Sequence, residues 1–109
     1  MSPEKQRIAI ATACGWTDIR RQNLYRGDRD LYGTKLIGAE KHRLRLPDYP
    51  NDLNACHEME KDLSTAQLQR EYADILDDAN GGHFATAAQR SEAFLRTLGL
   101  WTETPTQPQ

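Results

Sequence analysis

Not one of the 109 residues is valine, and the apolar side chains are dominated by 12 Ala and 12 Leu, with only 5 Ile. Valine is the apolar residue best matched to a pleated sheet, whereas Leu and Ala are strong helix formers. A core made of Leu and Ala therefore points to a mainly α fold, α+β at most. The length suits one domain with a modest core. A net charge of −2 excludes a generally basic nucleic-acid binder and a strongly acidic disordered chain. No apolar run approaches the ~20 residues that span a bilayer. With no secretory h-region at the start, the expectation is a cytoplasmic protein. Cys14 and Cys56 are too few and too far apart for a disulfide framework and are expected as reduced, buried thiols.

Start and stop signals divide the chain into four helices. Ser2-Pro3-Glu4 caps and opens the first, whose stretch Ile8–Cys14 is apolar almost all round and ends at Gly15. Pro47 and Pro50 frame a turn before the second helix, capped by Asn51 or Asp52 and running to Leu63, with Leu53, Cys56, Met59 and Leu63 as its buried stripe. Ser64 and Gln67 form a capping box for the third helix, whose face is Leu68, Tyr72, Ile75, Leu76 and Ala79. Thr86 and Gln89 form another for the fourth, with Ala87, Ala88, Ser91, Phe94, Leu95 and Leu98 inward and Gly99 as the stop. The domain spans 1–101, and the polar, Pro-bearing tail 102–109 is expected to be disordered.

Between the first two helices the periodicity fails. Residues 16–46 carry Gly27, Gly33 and Gly38, and their apolar side chains follow neither period for long. Asn23–Arg26, Lys35–Ile37 and Arg43–Leu46 read as candidate short strands, so the expectation is an irregular arm with at most a weak hairpin. A loop of that length inside a compact domain is functional, mobile or completed by a partner.

Patterns that carry chemistry are thin. His57-Glu58-Met59-Glu60-Lys61 begins like a zinc-protease helix but has Lys61 where the second ligand belongs. The remaining His and Cys residues offer no close spacing for a metal. Asp48/Asp52, Glu58/Asp62 and Asp74/Asp78 place carboxylates side by side, as an acid–base pair or any solvated helix would. Cys56 and His57 are neighbours on a helix and diverge, so they cannot pair as nucleophile and base. Gly81-Gly82 lacks the Lys-Ser/Thr of a phosphate cradle, and Arg26-Gly27-Asp28 reads as a chance tripeptide. No enzyme, cofactor or metal is expected from these residues.

Charge is the uneven feature. Residues 16–46 hold a net +4, whereas 47–109 hold −7. Arg20, Arg21, Arg26, Arg29, Lys41, Arg43 and Arg45 are the candidate partner-binding residues, interleaved with Trp16, Tyr25 and Tyr32 as in a nucleic-acid or nucleotide platform. The alternative is that the arm docks on the protein's own acidic helices.

Three stretches occur together: Arg7–Ala11 with Cys14-Gly15-Trp16, Leu46–Tyr49 with Asn51–Ala55, and Ala85–Arg90 with Ala93–Gly99. In that order and spacing the chain resembles a group of small uncharacterised proteins of tailed bacteriophages and prophages related to the phage ABA-sandwich domain. The resemblance covers about half the chain and implies a phage-type accessory protein of the bacterial cytoplasm, without implying an activity. Those relatives place a small antiparallel sheet between the second and last helices. Here that interval reads as helix, so a sheet must come from 16–46 or be lost. The functional expectation is a non-enzymatic binding protein engaging a host or counter-defence protein, with homo-oligomerisation open. A nucleic-acid or nucleotide binder using Arg20, Arg21, Arg43 and Arg45 is the alternative, and a small hydrolase or nuclease built on Asp/Glu and His57 ranks last.

Overall fold

The structure, a computed structural model, describes residues 1–25, 28–80 and 85–102. The elements are α1 (Pro3–Ala13), β1 (Thr17–Tyr25), β2 (Asp28–Ile37), β3 (Glu40–Arg45), α2 (Leu53–Glu60), α3 (Ala66–Asn80) and α4 (Ala87–Thr97). All four expected helices are present, but the mainly α expectation is overturned. In place of an irregular arm with at most a weak hairpin, Thr17–Tyr25, Asp28–Ile37 and Glu40–Arg45 form an antiparallel meander in the order β1-β2-β3. The fold is α+β.

The sheet forms without valine because it needs little apolar surface. Along β2, Leu31 and Gly33 face the helices while Tyr32 and Thr34 lie on the opposite side, where Tyr32 is nonetheless fully buried. Gly38 (φ 63°) and Ala39 join β2 to β3 across the Ile37–Glu40 pair, a two-residue turn with glycine at its first central position. That turn fixes an unbroken register from Ile37–Glu40 to Tyr32–Arg45. The β1–β2 register instead shifts twice, and Asp18 in the first shift has φ 48°.

Helix ends follow the capping chemistry closely. Ser2 accepts the Lys5 N–H, Asp52 accepts that of Asn54, and Thr86 with Gln89 closes a reciprocal capping box. The cap of α3 is Thr65, whose hydroxyl accepts the Leu68 N–H, not the expected Ser64. Gly15 (φ 93°) and Gly99 (φ 73°) end α1 and α4, and in each case the next residue's N–H reaches back five positions, Trp16 to Ala11 and Leu100 to Leu95. The first of these turns swings Trp16 onto the core. Helix α2 stops at Glu60, short of Leu63, although Leu63 is still buried.

Helix α4 packs against α1, α2 and α3, and its Phe94 and Leu95 are fully buried. Around them lie Ile10 and Ala11 of α1, Cys56 and Met59 of α2, and Tyr72 and Leu76 of α3. Trp16, Leu31 and Leu46 bring the sheet into the same cluster. Leu53 and Ala88, expected inward, are exposed. Among the described residues no helix is long and apolar enough to cross a membrane. The tail expected to be disordered lies, apart from Thr102, outside the described residues, as do Gly81-Gly82.

Gly33 is where sheet and core meet most tightly. A Cβ there would sit 3.0 Å from Leu46 Cδ1, 3.0 Å from Trp16 Cε3 and 3.2 Å from Ile19 Cγ1. Three neighbours, one of them a rigid indole ring, would have to give way together. Gly33→Ala is expected to destabilise the protein by about 1–3 kcal/mol, the usual range for overpacking. Denaturant unfolding measures it, and an unchanged midpoint would show that the sheet–helix contact is loose.

Candidate binding surface

The side of the sheet turned away from the helices is built by cross-strand pairing. Arg20, Tyr32 and Arg45 lie opposite one another across the three strands, with Gln22 opposite Asp30, Thr34 opposite Arg43 and Leu36 opposite Lys41. The alternation that buries Leu31 therefore gathers Arg20, Lys41, Arg43 and Arg45 on one outer face.

Each cation on that face has a different environment. Arg43 is a tether. Its guanidinium reaches back across β2, donating to Gln22 Oε1 at 2.8 Å, to Thr34 Oγ1 at 3.1 Å and to the Asp18 carbonyl. It thus holds the strained Asp18 turn, whose carboxylate lies 3.4 Å away. Arg45 lies over the ring of Tyr32, 5.9 Å from its centroid, and its Nε is 3.5 Å from Asp30. Arg20 pairs with Asp18 at 3.1 Å, both side chains being exposed. Lys41 is exposed and makes no ion pair among the described residues.

The other candidates sit elsewhere. Arg21 is on the helix side and pairs with Glu4 of α1. Arg29 is exposed near the far end of β2, and Arg26 lies outside the described residues. Among the described residues, the basic segment pairs with Asp18, Asp30 and Glu40 within the meander and with Glu4 of α1.

Aromatic stacking on this face is corrected too. Tyr32 is fully buried beneath its arginine neighbours, and Trp16 is in the core with 5% exposure, so neither ring offers a face to a base. The side chain of Tyr25 lies outside what is described.

Arg7 joins this face to the helices, and its role was not read from the sequence. It donates to Leu46 O at 2.7 Å, to Pro47 O at 3.3 Å and to Asp30 Oδ1 at 3.0 Å. Burial pushes the Asp30 carboxyl up, but the Arg7 bond, the Leu31 N–H and the nearby charges of Arg7 and Arg45 outweigh it, so its pKa is held below the ordinary value.

A pocket of about 120 Å³ lies where the turn after β3 meets α2, lined in part by Cys14, Lys35, Tyr49, Glu58 and Asp62. Burial, reinforced by a hydrogen bond to Asp62, pushes the Cys14 thiol up to about 12. Burial likewise raises Cys56 to about 11, against the lowering contact with Ser91. Both stay protonated at neutral pH, which deprives them of nucleophilic character. Lys35 is held 5.3 Å over the Trp16 ring. His57 and Lys61 pair with Glu60 and Glu58 on the exposed side of α2. Glu60 also takes the hydroxyl of Tyr72 and the guanidinium of Arg90, a knot joining α2, α3 and α4. Asp48 receives Asn51 in the turn before α2 while Asp52 caps that helix, so this carboxylate pair is structural. Among the described residues, no group of three or more His, Cys, Asp or Glu is placed to hold a metal.

No protein-family model, curated protein or solved structure matches the chain.

Two predictions separate structural cations from available ones. Arg43→Ala removes several hydrogen bonds from a charged donor and is expected to cost about 1–3 kcal/mol, whereas Lys41→Ala should stay within about 0.5 kcal/mol. Equal losses in parallel thermal unfolding curves would show that Arg43 is not a tether. The Asp30 carboxyl gives a pH signature. Because its folded pKa is depressed, its contribution is present above the ordinary carboxyl pKa of about 3.9 and lost as pH falls through the folded value. Asp30→Asn should therefore lower stability at pH 7 and flatten its decline below about pH 4, read from urea unfolding at each pH.

Proposed function

We propose that this chain is a non-enzymatic binding protein that engages an acidic surface of a protein partner through the outer face of its sheet. The observation that carries the reading is the alignment of Arg20, Lys41, Arg43 and Arg45 across three strands on one face. Arg43 and Arg7 hold that face in shape, Lys41 is exposed, and Arg20 and Arg45 are exposed while paired with Asp18 and Asp30. Preorganised surface cations of this kind steer association and select partners of opposite sign. The resemblance of residues 7–16, 46–55 and 85–99 to phage proteins gives the reading its setting, with a host or counter-defence protein as the target inside a bacterium. Oligonucleotides are the competing ligand class. The burial of Tyr32 and Trp16 weighs against them, because sequence-tolerant single-strand binding draws on exposed aromatic faces.

The test compares the parent with a Lys41→Glu/Arg45→Glu double variant. The variant keeps Arg43 and the Arg7–Asp30 bond but gives up the contacts of Arg45 with Asp30 and Tyr32. Its unfolding curve is therefore measured beside that of the parent, and retention is compared under conditions where both are folded. The immobilised parent should retain a discrete bacterial protein at low ionic strength, and the variant should not. Retention should weaken as salt rises and the screening length falls toward about 8 Å. Tight binding of oligonucleotides by the parent, with no protein retained, would transfer the function to the other class.

A further inference from the structure

The two outer edges of the sheet are unlike. The β1 edge is broken by two register shifts and by Asp18 at φ 48°. Such irregularity blunts an edge against pairing. The β3 edge is unbroken from Glu40 to Arg45, its residues are exposed or half-exposed, and among the described residues no strand lies beside it. Its backbone polarity follows from the turn. In a two-residue hairpin the residues flanking the loop exchange both hydrogen bonds, so Ile37–Glu40, Lys35–His42 and Gly33–Leu44 are the bonded pairs. The N–H and C=O groups of Lys41, Arg43 and Arg45 therefore point outward from the sheet.

We infer that the β3 edge takes up an extended acidic segment of a protein partner as a fourth antiparallel strand. Side chains as well as backbone favour that occupant. Arg43 is folded back toward β1, which leaves its outward N–H and C=O accessible. Lys41 and Arg45 stand at either side of it on the outer face. Leu44, 38% exposed, shows an apolar flank on the other face. A complementary strand carries carboxylates four residues apart, opposite Arg45 and Lys41, with an apolar residue beside the first, opposite Leu44. A second copy does not fit. Antiparallel pairing of two β3 strands about a central two-fold sets Lys41 against Arg43, or Arg43 against itself and Lys41 against Arg45, and like charges directly opposed are destabilising.

This inference rests on the proposed cationic-face reading and adds the main-chain mode of recognition. The probe is the synthetic peptide acetyl-Thr-Glu-Val-Thr-Thr-Glu-Thr-amide, added at millimolar concentration to the full ¹⁵N-labelled chain. Amide exchange at Lys41 and Arg43 is expected to slow severalfold, while exchange at Glu40, His42 and Leu44, already bonded to β2, stays unchanged. Replacing both glutamates of the peptide by lysine should abolish the protection. N-methylating two edge-facing amides of the peptide should weaken binding about tenfold, the loss expected for two net hydrogen bonds. Equal binding of the methylated peptide, protection along β1, self-association of the chain through the same amides, or no protection at all would each overturn edge docking. If none of the peptides protects the edge while Lys41→Glu/Arg45→Glu still loses the captured protein, the cationic-face reading stands and the added strand falls.

Discussion

A single guanidinium couples the two halves of this protein. Arg7 leaves α1 and donates to two carbonyls in the segment that carries the chain out of the sheet, Leu46 and Pro47, and to the carboxylate of Asp30 in β2. Its planar fork satisfies three acceptors on two segments at once, which an ammonium on a flexible stem would not do in a fixed geometry. Asp30 then faces Arg45, and Arg45 covers Tyr32. The outer face of the sheet is thus anchored to the helical layer by a chain of charged contacts in addition to the apolar ones through Trp16, Leu31 and Leu46. Apolar burial supplies the larger share of the driving force, but it is non-directional. The charged chain fixes how the meander sits.

The helices were legible because several independent signals agreed at each of them. Ser2, Asp52 and Thr86 cap as their positions suggested, and Gly15 and Gly99 take the left-handed conformation that their stop positions imply. The place of the sheet was partly legible, since Asn23–Arg26, Lys35–Ile37 and Arg43–Leu46 each overlap one of its strands, but its extent was not, for a physical reason. Its outer face is mostly polar, with Arg20, Gln22, Asp30, Thr34, Lys41, Arg43 and Arg45 beside Tyr32 and Leu36, and the β1–β2 register is interrupted twice. Composition therefore reported the helical core and was silent about a layer held by hydrogen bonds and ion pairs. Of the strand fragments, Arg43–Leu46 showed a clean alternation, and β3 is the one strand whose partner register is unbroken alongside it. The turn at Gly38 was the missing clue: a glycine-led two-residue turn between Ile37 and Glu40 fixes a hairpin whatever the hydropathy around it.

The candidate site was half readable. Charge segregation pointed to the right segment, and Lys41, Arg43 and Arg45 do share a face. Which cations are available and which are consumed depends on acids whose importance only the pairing reveals. Asp18 lies 25 residues before Arg43 in sequence and meets it across β2. Arg7, in a helix that reads as apolar, gave no sign of reaching the sheet. Aromatic residues within the basic segment suggested a stacking platform, yet Trp16 is swung into the core by the glycine turn that ends α1 and Tyr32 is roofed by arginine.

The inequality of the two sheet edges has a consequence for stoichiometry. A sheet open on both sides is a propagating template, since each added strand presents a new edge while the opposite one stays free. Here the β1 side is closed by its own irregularity, and the regular side carries charges that reject a copy of itself. A strand can be added to this chain's sheet on one side only, and it must differ in composition from β3. The geometry thus works against an open-ended fibre made of this chain alone, and it does so through backbone irregularity on one side and charge on the other.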